Sequence, residues 1–179
     1  MARILRSLGL ALILTAVSAR AADRSLEYAV KATFLSKFAS FVEWPAGTFS
    51  SASSPFVLCV VGADPYGGRI AQATRGQSVA GHPIVLRRLL RAEPGSGCHA
   101  MFLTGSSRQD VDEGLNAVAG TPTLTITDSE LGTEAGILHF VIADDRVTFD
   151  IDRAAAARNH LVISSNLLAL AHNLRGASR

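Results

Sequence analysis

Apolar residues recur every three or four positions near the start of the chain. Leu26, Val30, Phe34, Phe38 and Phe41/Val42 fall on one face of an α-helix for about four turns. A second set, Tyr28, Ala32, Leu35 and Ala39, makes that helix apolar round much of its girth. The pattern describes a core helix, or a core helix whose spare face meets a partner. Lys31 and Lys37 are left as its polar edge, and Glu27 stands four residues before Lys31 in the favoured order for an ion pair. Asp23 or Ser25 can cap the start. Pro45 disfavours the helical region at Trp44, so the spacing predicts a helix from Leu26 to Trp44.

The pattern then changes period. Phe56 to Val61 (FVLCVV) and His99 to Thr104 (HAMFLT) are short continuous apolar runs, as in strands buried on both faces of a parallel sheet. Pro83 to Leu90 reads as a strand near an edge, because Arg87, Arg88 and Arg91 discourage stray pairing. Thr123 to Thr127 is a fourth, β-branched strand. Gly136 to Ile142 and Arg146 to Ile151 form a hairpin around Ala143-Asp144-Asp145. Short helices are predicted at Arg69 to Arg75, Gln109 to Val118 and Arg153 to Arg158, the last capped by Asp152, and at Asn166 to Leu174, capped by Ser165. Ala46 to Ser54, rich in Ser, Gly and Ala, reads as a loop. Together these predict one α/β domain over residues 22–179: a mainly parallel sheet of about six strands, helices on both faces and a C-terminal hairpin.

Residues 1–21 stand apart. Arg3 and Arg6 make a positive start, Leu8 to Val17 a short apolar stretch, and Ala19-Arg20-Ala21 a small-residue cleavage pattern. This is the form of a signal peptide for the general secretory route, cut between Ala21 and Ala22, and it predicts a periplasmic protein. Losing Arg3, Arg6 and Arg20 takes the formal charge of +2 down by three to about −1. No basic stripe remains, and nucleic-acid binding has no electrostatic support. In an oxidising compartment the two cysteines, Cys59 and Cys98, favour a disulfide. In a sheet of order 2-1-3-4 their strands are neighbours, close enough for a bridge. The rival reading is a pair of small buried hydrophobes.

Candidate chemistry is sparse. Gly62, Asp64, Pro65 and Tyr66 lie in the Gly62 to Gly67 turn after the first buried strand, where α/β sheets place ligand loops. The segment is neither G-x-G-x-x-G nor a P-loop. No G-x-S-x-G elbow is present. Cys98-His99 sets a thiol beside a base, but neighbours in a strand point to opposite faces. His82, His99, His139, His160 and His172 make no metal-binding spacing. Asp144, Asp145, Asp150 and Asp152 cluster in sequence, with a turn and a helix cap as the simplest roles. The sequence therefore predicts no catalytic residues, no metal and no cofactor.

The run A-V-K-A-x-F-L-x-K-F-x-x-F-V-E-W-P at Ala29 to Pro45 resembles the opening of the YfiR family. Phe56 to Gly62 with Asp64-Pro65 is similar to that family's strand and G-x-D-P turn. Cys98-His99 leading into Met101-Phe102-Leu103 is similar to its C-H segment. Leu124 to Asp128, Gly136-Ile137 and Phe140 resemble its fourth strand and following glycine. Arg146 to Asp152 resembles R-V-x-F-x-I-N, with Asp152 in place of the asparagine. Leu161 to Ser165 and Leu167-Leu168-x-Leu170-Ala171 resemble its ending. The resemblance implies a periplasmic regulator and not an enzyme. It would bind and inhibit the periplasmic sensor part of a membrane diguanylate cyclase, or another membrane sensor, lowering cyclic-di-GMP output and biofilm formation. An outer-membrane lipoprotein as a second partner and a homodimer are also implied. With two cysteines, the family's second disulfide is absent. The alternatives are a periplasmic small-ligand receptor using the Gly62–Gly67 loop and, behind it, a hydrolase.

Overall fold

The computed structural model describes residues 24–106 and 109–176, so the leader and the Ala21–Ala22 cleavage position lie outside the described residues. Helix α1 spans 24–38 and runs through a 3-10 turn, Ala39–Phe41, into strand β1, Val42–Glu43. There follow β2 (Phe56–Gly62), α2 (Arg69–Thr74), β3 (Ser78–Val79), β4 (His82–Leu89), β5 (Ala100–Gly105), α3 (Val111–Ala117) and β6 (Leu124–Asp128). The chain closes with β7 (Leu138–Ala143), β8 (Arg146–Asp152), α4 (Arg153–Arg158), β9 (Val162–Ile163), α5 (Ser165–Leu170) and β10 (Asn173–Arg175).

The main sheet has eight strands in the order β10-β8-β7-β6-β5-β2-β4-β3, and β1 pairs with β9 in a separate two-stranded sheet. The core of the expected fold is present: β4-β2-β5-β6 is parallel, and the β7–β8 hairpin is antiparallel. The two extra strands flank it. β3 folds back on the start of β4, and β10 lies parallel to β8.

Two helices differ from the sequence reading, at three boundaries. The opening helix stops at residue 38 and not at Trp44, because Val42 is extended (φ −124°, ψ 139°) and Val42–Glu43 pairs with Val162–Ile163. The last helix is capped by Ser164, not Ser165, and its Oγ accepts from the Leu167 N–H at 3.3 Å. That helix ends at Leu170, since Ala171 turns extended and Asn173–Arg175 joins the sheet edge beside β8. Asp152 does cap α4, accepting from the Ala155 N–H at 2.7 Å.

Strand alternation sorts the core into two layers. Phe56, Leu58 and Val60 of β2, Phe102 of β5, Leu124 and Ile126 of β6, Phe140 of β7 and Phe149 of β8 face one side, under α1, α2, α4 and α5. Cys59, Val61, Met101 and Leu103 face the other, under Val111, Leu115 and Val118 of the α3 segment. The Cys59–Cys98 disulfide lies in this second layer, with Cα atoms 5.9 Å apart across adjacent strands. The serine-rich loop is pinned at Phe49, whose ring stacks on His82 (3.9 Å) and His99 (4.7 Å). His99 continues the stack to Phe56, and Phe56 to Trp44.

The bridge closes a sequence separation of 39 residues, for which chain entropy gives about 3–4 kcal/mol. Reductant, or the pair Cys59→Ala/Cys98→Ala, is expected to lower the melting temperature accordingly. Calorimetry with and without reductant checks this, and an unchanged transition would show that the staple adds nothing to packing.

Candidate functional site

β6 carries its core row one step too far. Leu124 and Ile126 face α1, so alternation turns Asp128 to the same side, and the carboxylate is buried. A buried charge needs a partner. Lys31 supplies it from α1, on the stripe of Leu35 and Phe38 and itself fully buried. Its Nζ donates to Asp128 Oδ1 and Oδ2 at 3.0 and 2.9 Å and to Glu130 Oε2 at 2.9 Å. Glu27, one turn back on α1, closes the group as a third carboxylate paired with Lys31. From the loop after β2, the Tyr66 hydroxyl donates to Asp128 Oδ2 at 2.6 Å, and its ring packs on Tyr28 at 5.0 Å. Lys31 is thus no polar edge of the helix but its one buried cation. The pairing with Glu27 expected from the sequence is present, as one of three.

One ammonium among three carboxylates sets the local proton affinities. Burial, then the hydrogen bond with Glu130, pushes the Glu27 carboxyl above its ordinary value. Burial acts the same way on Glu130, but hydrogen bonds from Glu27 and Lys31 outweigh it and hold that carboxyl below the ordinary value. Burial works against the Lys31 ammonium, while the hydrogen bonds to Glu27, Asp128 and Glu130 carry it net upward. Tyr66 is pushed far up by burial and by the Asp128 charge, so its hydroxyl stays a donor.

The other apolar stripe of α1 remains at the surface. Leu26 is 68% exposed, and Val30, Phe34 and Phe41 are half-buried. Between this stripe, Phe149 and α5 lies a cleft of about 480 Å³, lined by Ala29, Val30, Thr33, Phe34, Lys37, Phe38, Phe41, Leu167 and Leu170. A second trough of about 700 Å³ separates Leu26, Glu27, Val30 and Phe34 from Ile142, Asp145, Arg146 and Val147 of the hairpin. Val30 and Phe34 line both, so the two flank one face of α1.

Of the residues singled out by sequence, the structure brings together Cys59 and Cys98, and places Tyr66 beside Asp128. Gly62 (φ +98°) packs against β5 so closely that a Cβ would meet the Gly105 oxygen at 2.2 Å. Asp64 accepts from the Tyr66 N–H at 3.0 Å and from Arg88 at 3.0 Å, and Pro65 carries the chain between them. The pair Cys98-His99 diverges: Cys98 is in the bridge, and His99 Nδ1 accepts from the Val57 N–H at 2.9 Å. Burial lowers the proton affinity of His99 and of His139, whose Nδ1 lies 2.7 Å from Thr127 Oγ1. Asp144 and Asp145 make the hairpin turn with φ near 50° and 56°. Asp150 lies 3.9 Å from Arg175 Nε. Among the described residues no group of His, Cys, Asp or Glu is arranged to hold a metal ion, and no helix is long and apolar enough to cross a membrane.

A family model described as YfiR/HmsC-like matches residues 28–172. The chain belongs to the YfiR/HmsC-like family. Comparison with curated proteins finds no match. The YfiR/HmsC-like region contains Lys31, Tyr66, Asp128 and Glu130, together with both cysteines and the α1–α5 cleft, and leaves Glu27 just outside. The YfiR/HmsC-like family is periplasmic and regulatory rather than catalytic. The sequence reading missed the charged cluster. Its signal was available in two places: a lysine on the buried stripe of α1, and an aspartate in phase with Leu124 and Ile126.

Two predictions follow from the cluster. Lys31→Met strands Asp128 and is expected to cost about 3–5 kcal/mol in denaturant unfolding, whereas Lys31→Met/Asp128→Leu should recover part of that loss. A raised Glu27 favours folding in its protonated form, a contribution present at low pH and lost as pH rises through its raised value. A lowered Glu130 acts oppositely, its contribution being lost as pH falls through its lowered value. Both bracket the ordinary value of 4.5, so the pair stabilises most around there. Glu27→Gln removes the upper limb, and its melting temperature should gain on the wild type as pH rises from about 4 to about 7. Parallel melting curves across that range would contradict this.

Proposed function

We propose that this protein is a periplasmic regulator that binds the periplasmic sensor part of a membrane signalling protein and holds it inactive, a diguanylate cyclase being the favoured target. Family membership supports the regulatory role and the compartment. The observation that carries the contact is the outer stripe of α1, where an apolar cleft reaching Leu170 (63% exposed) and a part-charged trough reaching Leu26 share Val30 and Phe34. Apolar surface of this extent, on a helix otherwise committed to the core, suits the apolar face of a partner segment. In this reading the leader is cut between Ala21 and Ala22 and α1 begins close to the mature terminus. An outer-membrane lipoprotein that sequesters the regulator would compete for the same stripe, and a homodimer would leave it open or cover it.

Deleting the gene should raise cyclic-di-GMP and biofilm. Complementation with wild type should restore repression, while Val30→Glu or Leu170→Glu should not, at equal protein level and melting temperature. Full repression by both variants would remove the stripe from the mechanism. No change on deletion, in cyclic-di-GMP or in the activity of any membrane sensor purified with the protein, would overturn the regulator reading. N-terminal sequencing of the periplasmic protein should begin at Ala22.

A further inference from the structure

We propose that the loop over residues 46–54 is an acid-sensitive latch, fastened to β2 by the neutral His99 ring and loosened when that ring gains a proton on Nδ1. The device stands whether or not the outer stripe of α1 meets a partner. β5 begins at Ala100, so no strand residue continues the ladder beside Val57 at the start of β2. His99 fills that place twice. Its backbone N–H donates to the Val57 oxygen at 2.9 Å, and its side-chain Nδ1 accepts from the Val57 N–H at 2.9 Å. A ring that accepts at Nδ1 is neutral and carries its proton on Nε2. An imidazolium has donors at both nitrogens and no acceptor, so the charged ring leaves the Val57 N–H unmet in any rotamer.

The loop hangs on the same ring. Phe49 stacks on His99 at 4.7 Å, and the Thr48 backbone is hydrogen-bonded to it. Phe49 also stacks on His82 at 3.9 Å, and His82 Nδ1 lies 2.6 Å from the Ser54 oxygen. A carbonyl only accepts, so His82 donates there whether neutral or charged, and this second hold survives acid. The two histidines therefore respond differently: His82 keeps its bond and His99 gives up its own.

The ionisable groups around His99 are His82 of β4, which faces it across Phe49, and Glu93, which lines the same pocket from the loop after β4. β2 presents Phe56 and Val57, and β6 meets it through the Leu124 N–H, which donates to the His99 oxygen at 2.9 Å. Burial lowers the proton affinity of the ring, the Thr48 hydrogen bond raises it and the His82 charge lowers it, with the balance downward. The closed latch thus prefers the neutral ring. Its hold is complete above the ordinary value of 6.5 and fades as pH falls below that through the lowered value.

Hydrogen exchange at the Val57 amide, corrected for intrinsic rates, tests this. Protection is expected to fall by up to about thirtyfold from about pH 7.5 to about pH 5, and the Thr48 amide should follow. The amides of Phe102 and Ile126, in the central strands, should change far less. His99→Asn sets an amide oxygen near the place of Nδ1 without a titrating group, so Val57 protection should become flat with pH. His82→Asn should keep most of the fall. If His99→Asn does not fold, nitrogen NMR of the wild-type histidine rings decides, because the Val57 amide must shift with the titration of His99 and not with that of His82. A flat wild-type profile overturns the proposal. So does a fall that persists in His99→Asn, one that is absent at Thr48, or one shared equally by Phe102 and Ile126.

Discussion

Burying an ammonium in a protein this size costs several kcal/mol unless its donors are met. Lys31 meets that condition through Asp128, Glu130 and Glu27, with Tyr66 completing Asp128. The arrangement decides what apolar periodicity leaves open. α1 has two greasy stripes, and either one would satisfy a hydrophobic core. Turning the helix to bury Leu26, Val30 and Phe34 instead would carry Lys31 to water and strand Asp128 beneath it. A polar contact therefore chooses which stripe packs and which stays outside, a specifying role rather than a large net stabilisation.

This explains what could be read in the chain and what could not. The parallel strands were legible because FVLCVV and HAMFLT are apolar on both faces, and the hairpin because two aspartates accept positive φ at its turn. The Asp152 cap was legible from local chemistry alone. Trp44 and Leu174 failed as helix ends for a shared reason: a distant strand captured Val42–Glu43 in one case and Asn173–Arg175 in the other. Lys31 escaped because lysine on a helix is normally solvent-facing, and two of its three partners, Asp128 and Glu130, lie 97 and 99 residues away. The Gly62 to Tyr66 turn was noticed for its glycines, but its strongest contact is the tyrosine hydroxyl on Asp128.

The two layers divide the labour. The disulfide, Met101 and Leu103 lie under α3, while α1, its cluster and both apolar clefts lie across the sheet. β2 and β5 stand between the α3 layer and α1, and the segment after α3 reaches the other layer through Pro122, which accepts from Trp44, and Gly120, which donates to Asn159. Ala32 and Leu35 are buried on the inner side, while Phe34 of the outer stripe stacks on Phe38 at 5.6 Å. One helix thus serves as core on one side and as surface on the other, with Lys31 on the boundary that separates them.

The Lys31–Asp128 bond spans 97 residues, and this has a consequence for the order of assembly. A chain is made from its amino end, so α1 emerges first. Tyr66 meets it from the first half, but Asp128, Glu130, Phe140, Phe149 and Leu167, which complete its seat, come from the second. Cys59 and Cys98 are both available before the second half, so the bridge can close while α1 is still only partly seated. The first of the described helices to be made thus completes its docking only when the second half is present. Until residue 128 arrives Lys31 has neither Asp128 nor Glu130, and the seat of the inner stripe is incomplete. A helper that shields nascent apolar helices would find its target in residues 24–38, and would be released as the second half of the chain seats them.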